Sequence, residues 1–237
     1  MSLNTAHIKD IHGFVFDLDG TLIDTTPLVI KYWQRFAAEH GLDPEKILAT
    51  SHGRRTIETV AEWVPEKATQ ENVDRMERLL ADEDEGVTGK TGRQHGKKQV
   101  LPGVKRLLET IPAHRWGICT AGTTYMATAR MAQCGLTLPD SLATGDTVKN
   151  GKPDPEGYLM VAAGLHVPAE KCVVFEDAPA GVCAGKAAGM TVIACTTTHT
   201  ADQLKKAGAD FIVPFLSEVQ VNLTGDGNFE VDVRQLL

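Results

Sequence analysis

Two acids one residue apart, Asp17 and Asp19, end the apolar run Phe14-Val15-Phe16 and lead into the turn Gly20-Thr21. If that run is a β-strand, alternate residues share a face, so both carboxylates lie on one side. Like charges at that spacing repel, and three kinds of partner relieve them: a bound cation, a shared proton, or cationic side chains. A strand closed by an Asp-Gly turn explains the two acids equally well when they are taken alone. The case for chemistry therefore rests on what else the chain brings to the same place.

Later stretches carry complementary groups. Thr120-Ala121-Gly122-Thr123 follows the apolar run Trp116-Gly117-Ile118-Cys119, and Glu176-Asp177 follows Cys172-Val173-Val174-Phe175. Between them, Lys152 precedes Pro153 in a polar turn at 149–155. Gathered at one sheet edge, the four acids Asp17, Asp19, Glu176 and Asp177 require a cation, and an all-oxygen ligand set favours a hard ion such as Mg²⁺. With such an ion the remaining groups suit phosphoryl transfer, which depends mostly on positioning and charge neutralisation. Asp17 is then the candidate nucleophile and Asp19 the acid and base. Thr120 and the backbone N–H groups of Ala121 and Gly122 would hold phosphoryl oxygens, while Lys152 offsets charge.

The elements that must position these groups read as an α/β fold. From residue 101 onward, helical and short apolar strand patterns alternate, as in a doubly wound, Rossmann-like parallel sheet. Strands are expected at 14–16, 116–119, 141–143, 172–175, 191–194 and 211–213. In such sheets ligands bind beyond the carboxyl ends of the strands, near the point where the winding reverses. Residues 27–85 read as all helix, beginning at Thr25-Thr26-Pro27 with a hydroxyl available as N-cap. An all-helical cap inserted after the first strand follows, giving a core of residues 1–25 plus 99–237 and a cap of 26–98. Residues 82–98 are nearly devoid of apolar side chains and read as an exposed loop. Gly89-Lys90-Thr91 within it imitates a phosphate-binding loop, but Asp84 stands where that pattern needs glycine. The tail, with Gly225-Asp226-Gly227 between two Val-containing runs, reads as a hairpin. Thr196-Thr197-Thr198-His199 follows a strand and reads as plain loop.

Composition narrows the partners. A net charge of −7 over 237 residues argues against nucleic-acid and anionic-membrane surfaces. The five cysteines form no Cys-x-x-Cys and sit mostly in apolar runs, the pattern of a reduced cytoplasmic protein. No apolar run approaches ~18 residues, so no membrane span is expected. The expected partner is a small phosphorylated metabolite, and nothing in the pattern demands a second subunit.

Asp17-Leu18-Asp19-Gly20-Thr21, Thr120, Lys152 and Glu176-Asp177, in this order, resemble the haloacid dehalogenase superfamily, specifically its phosphatases with a helical cap. The resemblance spans roughly residues 11–215. It implies that Asp17 and Asp177 give side-chain oxygens to Mg²⁺, that Asp19 gives its backbone carbonyl, and that Glu176 orients metal-bound water or joins the ligands. It also implies hydrolysis of phosphate esters through an aspartyl phosphate; true dehalogenases lack the acid at Asp19. Ser51-His52-Gly53-Arg54-Arg55-Thr56, the stretch 151–156 and the stretch 174–181 are similar to the glycerol-phosphatase and 2-deoxyglucose-6-phosphatase group. That likeness makes His52, Gly53 and Arg55 candidate selectors of the leaving group.

Two alternatives remain at this stage. A phosphomutase of the same fold returns the phosphoryl group to a sugar hydroxyl, and a receiver-like regulatory protein retains it on the strand-end aspartate. The inserted cap and Asp19 argue against the second.

Overall fold

The computed structural model describes residues 3–82 and 99–236. The chain begins with β1 (Leu3–Ile11) and β2 (Gly13–Phe16), then leaves the core through the short β3 (Ile23–Asp24). Four helices follow, α1 (Thr26–His40), α2 (Pro44–Ser51), α3 (Thr56–Trp63) and α4 (Gln70–Asp82). The chain returns through β4 (Gln99–Val100) into α5 (Val104–Thr110), β5 (Trp116–Cys119), α6 (Thr124–Gln133), β6 (Leu142–Ala143) and α7 (Glu156–Gly164). It then runs through β7 (Cys172–Glu176), α8 (Pro179–Ala187), β8 (Thr191–Cys195), α9 (Ala201–Ala207) and β9 (Phe211–Val213), ending in β10 (Val219–Leu223) and β11 (Phe229–Leu236).

Six strands form one parallel sheet in the order β6-β5-β2-β7-β8-β9. The chain winds outward from β2 to β5 and β6 on one side, then crosses to β7, β8 and β9 on the other. β2 is therefore the strand at which the winding reverses. Alternation in these strands feeds two cores: Phe14, Phe16, Val173 and Phe175 enter one, while Val15, Val174 and Val192 enter the other. The second core is closed by α7, α8 and α9 through Tyr158, Val161, Val182 and Leu204.

Part of the cover over the first core comes from an antiparallel sheet, β1-β11-β10, whose Val219, Val221, Phe229, Val231 and Val233 pack into it. The ring of Phe229 meets Phe14 edge-on, with centroids 5.1 Å apart. The expected tail hairpin is β10 and β11, paired from Leu223↔Phe229 to Val219↔Val233. β1 is an addition to the expected strand set. Its sequence shows weak alternation, and its partner lies at the far end of the chain, with Leu3 opposite Leu236. Asp10, at φ 60°, sits where that pairing slips register between Ile8 and Ile11.

Helices α1 to α4 assemble a core of their own around Trp33, Phe36, Ala37, Ile47, Val60, Val64 and Met76. The two crossings into and out of this layer run side by side, because β3 pairs with β4 and Leu101 N–H donates to the Leu22 carbonyl (3.0 Å). Gly41, at φ 68°, closes α1 in the left-handed region. The expected cap limit at 98, most of the expected exposed loop and the Gly89-Lys90-Thr91 stretch lie outside the described residues. No described helix is long and apolar enough to cross a membrane.

Candidate active site

Because β2 lies between β5 and β7, the residues that follow these three strands share one edge of the sheet. Asp17 follows β2, Thr120 follows β5, and Glu176-Asp177 closes β7. Asp17 is anchored by its own N–H, which donates to the Phe175 carbonyl (2.9 Å). Gly20 then turns the chain at φ 90°, and a Cβ there would collide with the Asp177 carboxylate. Glycine is required at that turn on both counts.

Lys152 joins the strand ends. Its buried Nζ donates to Asp17 Oδ1 (2.5 Å) and Glu176 Oε1 (2.6 Å). Glu176 is fully engaged: Oε1 also accepts from the Tyr158 hydroxyl (2.8 Å), and Oε2 accepts the N–H groups of Asp177 (2.8 Å) and Ala178 (2.9 Å). Gly181 on α8 leaves the space this carboxylate occupies; a Cβ there would overlap it. Asp177 accepts from Thr21 Oγ1 (3.0 Å) and from the Thr198 hydroxyl.

Asp17, Glu176 and Asp177 bring carboxylate oxygens within 4.8 Å of one another in buried surroundings. Burial, with Glu176 adding to it, pushes Asp177 up to about 7. Burial likewise raises Asp17 well above the usual carboxylate range, although Lys152 opposes the shift. The Lys152 ammonium, which burial alone would discharge, is held charged by Asp17 and Glu176. One ammonium facing three buried carboxylates leaves excess negative charge. A hard divalent cation on oxygen ligands fits that deficit. Since the Glu176 oxygens already accept four hydrogen bonds, Asp17 and Asp177 are the members best placed to bind it.

The Asp19 side chain turns away from this cluster. Its Oδ1 accepts from Thr25 Oγ1 (2.7 Å) and pairs with Arg130 Nη1 (2.5 Å). The Thr25 hydroxyl, expected to cap α1, makes no cap bond and holds Asp19 instead. Asp17 and Asp19 open onto a cavity between the sheet edge and the helical layer, also lined by Thr120, Ala121, Gly122, His52 and Gly53. Thr120 Oγ1 accepts the Gly122 N–H (3.2 Å), which folds this turn back on itself.

Of the three expected selectors, His52 and Gly53 line that cavity and Arg55 does not. Gly53, at φ 75°, brings the α2–α3 loop close enough that a Cβ would lie 2.7 Å from Ala178 Cβ, next to Asp177. Arg55 Nε donates to Glu58 (2.7 Å), and Nη1 donates to the carbonyls of Val148 (3.2 Å) and Gly145 (3.4 Å). Its guanidinium ties the helical layer to the sheet domain beside the Lys152 turn.

The model for "haloacid dehalogenase-like hydrolase" matches residues 11–189. The chain belongs to that family. Among relatives of this hydrolase, "Hexitol phosphatase A" of Escherichia coli (strain K12) is 36% identical, with 91% of this chain and 96% of the relative covered. "Glycerol-1-phosphate phosphohydrolase 2" of Saccharomyces cerevisiae is 35% identical, covering 98% of this chain and 92% of that one. "2-deoxyglucose-6-phosphate phosphatase 2" of the same yeast is 31% identical over 94% and 95% of the two chains. A solved hydrolase from Pseudomonas syringae superposes with a TM-score of 0.72 at 25% identity, covering 87% of this chain and 94% of that one.

Several groups in this hydrolase's site carry little sequence signal. Tyr158 and Arg130 lie within helices whose facing only packing reveals. Arg130 does share the buried face of α6 with Met126, Ala127 and Met131, and a cation at a core position is a usable clue. Glu77, on α4, accepts from Thr56 Oγ1 within the helical layer (2.6 Å) and from the Thr123 N–H at the sheet edge (2.7 Å). The 196–199 loop, read as plain, is not: the Thr198 hydroxyl donates to the Asp177 backbone carbonyl (3.0 Å), and His199 Nδ1 lies 3.1 Å from the same oxygen. Its position after β8 at the same sheet edge was the available signal.

Proposed function

We propose that this chain is a Mg²⁺-dependent phosphomonoesterase that hydrolyses a small polyol or sugar phosphate through an aspartyl phosphate on Asp17. The observation that carries the reading is the buried Lys152 bridging Asp17 and Glu176 at 2.5 and 2.6 Å, with Asp19 facing the adjoining cavity. The names of the relatives, which are phosphatases of hexitol, glycerol and deoxyglucose phosphates, support the substrate class.

The Asp17 carboxylate attacks phosphorus, forming an Asp17 O–P bond as the bond to the leaving oxygen breaks. The Asp19 carboxyl gives that oxygen its proton, and Asp19 then accepts a proton from the water whose oxygen displaces Asp17 from phosphorus. Lys152 screens the approach of an anionic phosphate to an anionic nucleophile. The Thr120 hydroxyl, which accepts the Gly122 N–H and so is free to donate outward, and the Ala121 N–H orient the phosphoryl oxygens. The Asp17 and Asp177 carboxylates and the Asp19 backbone carbonyl would hold Mg²⁺, which would supply charge neutralisation at the phosphoryl group. The helical layer formed by α1 to α4 would cover the leaving group.

Phosphate release measured with Mg²⁺ over glycerol 1-phosphate, hexitol phosphates and 2-deoxyglucose 6-phosphate tests the reading. Asp17→Asn should cost at least about 10³-fold in kcat, since removal of a covalent nucleophile leaves only binding and electrostatic terms. Retention of more than a few per cent of turnover would remove Asp17 from the nucleophile role. Conversion of a sugar phosphate to an isomer without free phosphate would place the chain among mutases.

A further inference from the structure

Arg130 is an unusual occupant of its position. Its side chain is 1% exposed, on the face of α6 that packs inward. A buried guanidinium costs several kcal/mol unless it is paired and hydrogen-bonded. Nη1 meets that need on Asp19, but Nε and Nη2 are buried and have no hydrogen-bond partner among the described residues. These two nitrogens lie on one edge of the planar group and form the fork that grips paired oxygens side-on. An arginine that served only to hold Asp19 would leave two donors orphaned, an arrangement that folded proteins rarely tolerate.

Two more residues that line the same cavity carry buried polar atoms without a partner among the described residues, His52 at Nε2 and Ser51 at Oγ. His52 Nδ1 donates to the Leu48 carbonyl (3.4 Å), which leaves Nε2 as an acceptor. The unpartnered set therefore contains a two-pronged donor, an acceptor and a hydroxyl. The carboxyl groups of Asp19 and Glu77 both lie close to the Arg130 guanidinium, so a second anionic group on the ligand would meet two acids beside one cation. Hydroxyl groups, which accept from the fork and donate to His52, satisfy every open valence.

We propose that Arg130 is the specificity-determining residue for the leaving group: its free Nε–Nη2 edge takes neighbouring hydroxyl oxygens of a polyol or sugar while Nη1 keeps Asp19 beside the scissile oxygen. This rests on the phosphatase reading above and adds to it the group that reads hydroxyls.

Steady-state kinetics of the full chain with Mg²⁺ test it, using glycerol 1-phosphate and a hexitol phosphate against p-nitrophenyl phosphate, whose leaving group offers no neighbouring hydroxyls. Arg130→Gln and Arg130→Lys should raise KM for the polyol esters about tenfold or more, the loss expected for a pair of hydrogen bonds from a charged donor. KM for p-nitrophenyl phosphate should move less than about twofold, while kcat falls on all substrates through the loosened Asp19. Thermal unfolding establishes that each variant is folded; if Arg130→Gln is not, Arg130→Lys, which keeps the charge but not the fork, carries the comparison. Equal KM changes on the two ester types, or none, would overturn the role of Arg130 alone. Failure of the wild-type chain to release phosphate from any of these esters would overturn the phosphatase reading and this role with it.

Discussion

At the scale of single residues the site is an electrostatic balance around Lys152. Its ammonium stands between two buried carboxylates, so removing it leaves Asp17 and Glu176 facing each other without a cation. Breaking a buried pair from one side typically costs about 3–5 kcal/mol. Lys152→Met should therefore lower unfolding free energy by roughly that amount in chelator-treated protein and abolish turnover, as read by urea denaturation and phosphate release. Unchanged stability would mean that the two acids are relieved in another way. The residues that sequence reasoning could find here are those whose neighbours announce them: acids after an apolar run, a threonine opening a glycine turn, a lysine before proline. Arg130, Glu77 and Tyr158 lacked such neighbours, since a helix displays its facing only through what it packs against.

At the scale of elements, the α2–α3 loop is held at the sheet edge by Gly53 and Arg55. Arg55 opens α3 and reaches the carbonyls of Gly145 and Val148, so its contribution is to the seating of the helical layer. Arg55→Ala should then reduce kcat/KM by a similar factor, about tenfold for two lost hydrogen bonds from a charged donor, on polyol esters and p-nitrophenyl phosphate alike. A loss confined to polyol esters would return Arg55 to the role of selector that the resemblance implied. The parallel strands and most helices were legible because buried runs and helical periodicity are local properties. β1 was not, because its stability comes from pairing with β11 at the opposite end of the chain. A weak local pattern becomes a strand only once that partner is in place.

At the scale of the whole molecule, three buried acids couple stability, pH and cation binding. With its proton affinity raised to about 7 from the ordinary 3.8, Asp177 holds a proton more tightly in the folded chain than in the unfolded one. That group's contribution to stability is fully present below the unfolded value and is lost as pH rises through about 7. Chelator-treated protein should accordingly lose stability across this window. Mg²⁺, which binds the deprotonated acids, should raise the unfolding temperature more at pH 8 than at pH 6. An equal shift at both values, measured by calorimetry, would detach Asp177 from the cation.

The sequence by itself determined the alternation of strands and helices, the order of the chemistry-bearing turns and the polar character of the loop at 51–56, because each depends on neighbours within a few positions. Only the tertiary structure decided which acid faces which cation. Asp17 and Glu176 share Lys152, Asp19 belongs to Thr25 and Arg130, and Asp177 is gripped by Thr21 and Thr198. Those pairings join positions up to 156 residues apart in the same small volume, and the Thr197 hydroxyl reaches the Gly20 carbonyl across 177. Their geometry is set by how β2, β5, β7 and β8 stack and by where the helical layer seats. Distances of that kind are properties of packing, which no local pattern encodes.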